Sequence, residues 1–344
     1  MTVPSAEKNR VEKRSLLSAL RPILKSKIGK ELFLVYASGL FPFFGSLLRD
    51  FAILSRVPVS EATSFFKYFF LSNLVALIPA EYIWTKYNSL PGQRARIPAA
   101  EIGLMAGLTV SAGYLAFRAA GATSWFWTLV PVLSVIVAYP IGIYNGLKLY
   151  LPSKIVSTLP NIIMAGFTLV LSFHLPASYS LSLVIVSAVV FSFLAGGKRI
   201  QITAERFDIG STLRMILLTA IPLAAFYSGN FYLLGLNHSQ NRAVLWGNRI
   251  SSYLLTFLIL ATPVFINTLK SRSFRVRDFS RAIRAAVGLI AFFLVLGFIL
   301  RRPQPHLYLI VLNVDLSFLA ALLHYLIKVI VVRRLHWESP EPPG

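Results

Sequence analysis

Arg49 and Asp50 adjoin inside the apolar run 32–54, while Arg242 and Arg249 bracket the start of another run, with Asn248 beside the second arginine. A guanidinium offers a planar fork of donors that meets a phosphate with two hydrogen bonds, and its charge survives in apolar surroundings. Arginines facing a wet cavity would therefore make a phosphate-binding wall, and a spacing of seven puts Arg242 and Arg249 on one helical face. The competing reading of Arg49 is local. Near the end of a run, a long side chain reaches back toward water and pairs with its neighbour Asp50. Lys67, three residues into the next run, divides between the same two readings. Lys148 and Lys154 flank a turn and read as ordinary loop cations.

Asn313 and Asp315 fall near the middle of the last apolar run. A carboxylate deep in hydrocarbon is costly unless paired, protonated or wetted. Asp315 is accordingly either a protonated structural group or one that couples a cation, and Asp50, Asn230 and Asn313 join it as candidate polar groups of a cavity. Motifs of soluble catalysis are missing: there is no H-E-x-x-H, G-x-S-x-G, P-loop or Gly-rich dinucleotide fingerprint. The histidines, His174, His238, His306, His324 and His336, show no ligand spacing, and there is no cysteine. No metal, cofactor or enzymatic activity is expected.

The elements that must carry these residues are membrane spans. With 56% hydrophobic and 14% charged residues, the 344-residue chain cannot hide its apolar surface in a water-soluble core. Ten runs approach the roughly 20 apolar residues a span needs: 32–54, 65–84, 102–118, 125–144, 155–174, 179–197, 213–236, 245–269, 285–300 and 307–332. Of the 34 Lys and Arg residues, 26 lie in the tails and on every second connection. The positive-inside rule makes that side cytoplasmic, with both termini there. The net charge of +21 thus finds its counter-charge in anionic lipid head groups rather than nucleic acid. Trp84, Trp125 and Trp127 read as head-group anchors at span ends. Pro131, Pro140, Pro160, Pro222 and Pro263 are candidate kinks.

A shift of 180 residues superposes Pro42 on Pro222, Phe51 on Phe231 and Ser72 on Ser252, with Asp50 on Asn230. This weak repeat equates spans one and two with spans seven and eight. The expected architecture is all-α and polytopic, with about ten helices in two pseudo-repeated lobes. A basic cytoplasmic tail (1–30) precedes an N-lobe of six spans (31–198) and a C-lobe of four (199–335), and residues 336–344 form a disordered tail.

The segment from Ala37-Ser38-Gly39-Leu40 to Arg49, the stretch from Val57 to Tyr68 and the stretch from Ile221 to Leu258 resemble the polysaccharide flippase branch of the multidrug/oligosaccharidyl-lipid/polysaccharide exporter superfamily. Tyr144-Asn145-Gly146-Leu147-Lys148 with Leu159-Pro160-Asn161 is similar to that family's junction between spans four and five. The resemblance covers about a third of the chain, and ten spans depart from the family's twelve or fourteen. It implies a bacterial inner-membrane flippase for a polyprenyl-diphosphate-linked saccharide, working by alternating access, with Arg49, Lys67, Arg242 and Arg249 as phosphate contacts. Its partners would be membrane lipids, the anionic glycan lipid, and glycosyltransferases or a polymerase of a polysaccharide pathway. Two alternatives stand beside it: a non-transporting scaffold of a polysaccharide synthesis complex, and a membrane enzyme on polyprenyl phosphate, which would have to use Asp315.

Overall fold

The structure, a computed structural model, describes residues 27–89, 95–122, 124–171, 175–196, 200–205, 208–236, 242–270, 276–301 and 304–337. The basic tail before residue 27, the tail after residue 337, His174, His238 and Arg302 lie outside them. The helices are α1 (Lys27–Arg56), α2 (Val59–Ser89), α3 (Ala99–Ala119), α4 (Phe126–Gly146), α5 (Tyr150–Gly166), α6 (Leu175–Gly196), α7 (Ile209–Gly235), α8 (Arg242–Ile259), α9 (Thr262–Lys270), α10 (Val276–Leu300) and α11 (Pro305–Trp337). A π-helical turn, Phe167–Leu171, extends α5.

Among the described residues, seven helical segments are long and apolar enough to cross a membrane, and α2 and α7 bring the number to nine when each bent pair counts as one span. The apolar part of α10, Ala286–Leu300, is shorter than a perpendicular crossing needs. The chain is an all-α, multi-pass membrane protein. Its outward side chains suit lipid contact: Val170, Phe193 and Phe298 are each at least 74% exposed.

Apolar helices gain little by leaving lipid for one another, so close approach and polar bonds must hold them together. Gly142 and Gly146 bring α4 against the backbone of α2, where a Cβ on Gly146 would overlap the Tyr87 carbonyl. In the second half, Asn248 of α8 donates to Asn230 Oδ1 of α7 and, at 3.0 Å, to Asn313 Oδ1 of α11. Ser317 adds a 2.8 Å bond from α11 to the Ser251 carbonyl of α8. The first six helices pack chiefly among themselves, α7, α8 and α10 gather on α11, and the α2–α7 contact is the main seam between the groups.

One feature the apolar runs did not announce is a pair of parallel strands, β1 (Ala95–Pro98) and β2 (Ile200–Thr203), in register from Ala95 opposite Ile200 to Pro98 opposite Thr203. They belong to connections four helices apart, so their pairing requires both connections to sit at the same end of the bundle. That end also holds the Lys148–Glu31 ion pair at 2.8 Å and buried Glu101, which meets Lys86 and takes a 3.0 Å bond from the Tyr87 hydroxyl. We call it the strand-bearing end.

The kinks fall only partly where proline suggested. α2 bends by 50° between Leu77 and Pro79, and α7 by 53° between Leu218 and Leu223, across Pro222. Pro263 stands just after the break between α8 and α9. Pro131, Pro140 and Pro160 lie within uninterrupted helices.

Candidate functional site

Arg49 lies seven residues from the end of α1 and Arg249 seven from the start of α8, each about 10 Å from the far end of the bundle at 1.5 Å per residue. The packing of α1 against α5 and of α8 against α11 turns both side chains inward. Arg49 is 1% exposed and Arg249 3%, and between them Asp50 is fully buried. Asp50 Oδ1 accepts from Arg49 Nε at 2.8 Å and Oδ2 from Arg249 Nε at 2.6 Å, with the Tyr253 hydroxyl also donating to Oδ2. Arg49 Nη1 reaches Asn161 Oδ1 of α5 at 2.6 Å. The rings of Phe66, Phe69 and Phe70 cover the guanidiniums, with Phe69 centred 4.5 Å from Arg49 Cζ. Arg49 therefore combines both readings of its sequence: it pairs with its neighbour, yet it points into the protein. Two cations and one anion leave the cluster one positive charge in surplus.

As arranged, this is a closed tie between the two halves and not an open phosphate site. Asp50 occupies the forks a phosphate would take, although Arg249 Nη1 keeps no hydrogen-bond partner among the described residues. The other candidates disperse. Arg242 is exposed at the start of α8 and shares no wall with Arg249. Lys67 is half-buried, its Nζ 5.1 Å from the Phe231 ring centre across the α2–α7 seam. Asn230 and Asn313 serve the asparagine ladder between helices. Asp315 is 6% exposed, and its Oδ1 accepts no hydrogen bond among the described residues.

The second charged tie lies toward the strand-bearing end. Lys328 of α11 donates to Glu81 Oε2 of α2 at 2.6 Å and to the Thr85 hydroxyl, and both charged groups are 2% exposed. Twelve residues of α2 separate Glu81 from Phe69, about 18 Å of helix.

Beside this tie is a cavity of about 230 Å³ bounded by α1, α2, α4, α5, α8, α9 and α11. Glu81, Lys328, Lys154 and His324 all line it, and Lys154 has no ion-pair partner among the described residues. A second cavity of about 160 Å³ shares Trp84, Ile141 and Ser157 with it and runs on to Asn161, the partner of Arg49. Largely apolar space with a few polar groups thus leads from one tie toward the other; Asp315 lines neither cavity.

Searches against protein-family models, curated proteins and solved structures find no match for this chain. The site therefore rests on its own geometry, and three of its residues depart from the sequence reading. Lys154, read as a loop cation, stands one turn inside α5 and lines the cavity. Trp84, read as a head-group anchor, lines it too, and Trp127 is a buried core residue with its ring 5.4 Å from Phe65. Trp125, 63% exposed, is the one of the three at a surface. The signal that distinguishes them is which turn of the helix meets a neighbour, and hydropathy does not carry it.

Proposed function

We propose that this protein is an alternating-access transporter that moves an anionic, lipid-linked saccharide between the leaflets of a bacterial inner membrane. The observation that carries the reading is a cavity between two groups of helices that are joined by two buried ion pairs, Glu81–Lys328 in the cavity wall and Asp50–Arg249 toward the far end. Such pairs suit a gate: each is strong when closed, and a competing anion can replace its carboxylate. Opening the far end would part α8 from α1 and release Arg249 from Asp50, freeing a guanidinium fork for phosphate. Opening the other end would part α11 from α2. The bends of α2 and α7 at the seam give the halves places to hinge.

The basic connections support a cytoplasmic strand-bearing end, on the positive-inside rule. The substrate class comes from the resemblance of the Ala37–Arg49 and Ile221–Leu258 regions to polysaccharide flippases, and a surplus positive charge at each end of the path agrees with an anionic cargo.

The test is leaflet transfer. The full chain is reconstituted in liposomes holding a fluorescent polyprenyl-diphosphate saccharide, and dithionite is added outside. Transfer makes nearly all the fluorescence quenchable in vesicles that contain protein, against about half in protein-free vesicles. Equal quenching in both would overturn the reading and favour the non-transporting scaffold.

A further inference from the structure

Four buried side-chain atoms on the wall of the larger cavity have no hydrogen-bond partner among the described residues: Trp84 Nε1, Asn88 Oδ1, Asn145 Oδ1 and His324 Nδ1. Asn88, Asn145 and His324 are each less than 10% exposed. A buried polar atom left unsatisfied costs about 1–3 kcal/mol, and four around one cavity mark a place built to receive polar partners. Their chemistry is mixed. The amide oxygens accept, the indole N–H donates, and the imidazole nitrogen takes either role, its other nitrogen lying 3.0 Å from the Thr262 hydroxyl. An inorganic phosphate brings at most one or two O–H donors, spaced about a single phosphorus atom, and a fully ionised phosphate ester brings none. Hydroxyl groups can satisfy Asn88 and Asn145, since each both donates and accepts. Lys154, uncompensated and lining the same cavity, calls for a negative charge.

We infer that this cavity binds a phosphorylated sugar, with the phosphate on Lys154 and the sugar hydroxyls on Asn88, Asn145 and the Trp84 N–H. The phosphate would also compete with Glu81 for Lys328, so occupancy loosens the tie between α2 and α11. This inference builds on the transport reading, because it names what that cavity holds, but binding can be measured without transport. The shared chemistry is a sugar phosphate ester, whether free or on a lipid.

The experiment titrates the detergent-purified full chain and follows tryptophan fluorescence, using Trp84→Phe to identify the responding residue. The probes are glucose 1-phosphate, farnesyl-phosphoryl-glucose, glucose, inorganic phosphate and farnesyl phosphate. Both sugar phosphates should bind more tightly than the other three; whichever binds better assigns the source, free or lipid-linked. Lys154→Gln should weaken both on the order of ten-fold or more, as expected for a lost charge-assisted hydrogen bond, while Lys154→Arg retains binding and so rules out misfolding as the cause. Asn145→Leu should weaken the sugar phosphates and leave inorganic phosphate unchanged. The inference is overturned if inorganic phosphate or glucose binds as well as glucose 1-phosphate, if Lys154→Gln and Asn145→Leu change nothing, or if no probe binds. If no probe binds, the cavity holds only water. Binding that persists without leaflet transfer would overturn the transport reading alone. Transfer that ignores both substitutions would overturn this inference alone.

Discussion

Replacing Asp50 by Asn keeps the shape of the far-end tie and deletes its only negative charge. In the native protein the carboxylate receives two charged donors at 2.6 and 2.8 Å and is fully buried. At an effective dielectric of about 20, each arginine about 4 Å away in charge centre contributes roughly 4 kcal/mol of attraction. Removing the carboxylate forfeits both attractions and leaves the mutual repulsion of the arginines. The desolvation that a buried carboxylate suffers, several kcal/mol, is recovered, so the net loss should be about 3–5 kcal/mol. With an unfolding entropy near 2.1 cal/mol/K per residue, the midpoint of thermal unfolding in detergent should fall by about 4–7 °C. The double variant Asp50→Asn/Arg249→Gln, which restores a single surplus charge, should regain part of that loss. The chain has no cysteine, so Ser46→Cys adds a unique thiol beside the cluster, where the Ser46 hydroxyl lies 3.4 Å from Asn161 Nδ2. Asp50→Asn should speed its labelling by a membrane-impermeant reagent applied at the far face. A midpoint within 1 °C of wild type, or losses that simply add in the double variant, would show the cluster to be wet and uncoupled.

Substitutions at two further contacts probe the packing that holds the cavity. Lys328→Met strands the Glu81 carboxylate and should cost about 3–5 kcal/mol, whereas Lys328→Met with Glu81→Gln should recover most of it in the same unfolding assay. Gly146→Ala forces α4 off the Tyr87 carbonyl and should cost about 1–3 kcal/mol by overpacking, while Gly103→Ala, with open space around it, should be neutral or slightly stabilising through helix propensity.

The spans were legible because a bilayer imposes one demand, a long apolar run, and hydropathy records it directly. What lies between and across the spans was less so. A four-residue strand pair in two connections leaves no periodic trace, and β1 and β2 were invisible until their partners met. The arginines on α8 show why a shared face misleads. A spacing of seven places Arg242 and Arg249 within about 20° of each other around the helix, but Arg242 is exposed at the start of α8 and Arg249 is buried two turns further in. Asp50 and Arg249 were each chosen from sequence, yet their pairing spans 199 residues and no local pattern encodes it. Lys154 escaped for the opposite reason: its position at a span end fitted the charge rule so well that nothing invited a second role.

The two ends of the path share a charge composition. Toward the far end stand Arg49 and Arg249 with Asp50; toward the strand-bearing end stand Lys154 and Lys328 with Glu81. Each group carries one positive charge more than it neutralises, but the surplus is held differently. At the far end both arginines bind one carboxylate under a cover of aromatic rings, so the charge is spread over a closed network. At the other end the surplus resides on Lys154 alone, beside a cavity whose lining holds four atoms without a hydrogen-bond partner among the described residues. An anion entering the larger cavity meets an available cation, whereas one reaching the far cluster must first displace Asp50. If the protein cycles, the far-end arginines become an anion site only after the halves have moved, and Lys154 is one before they do. On the transport reading proposed above, that asymmetry gives the expected order: capture at Lys154, weakening of Glu81–Lys328 by competition, and only then exchange of Asp50 for an anion at Arg249.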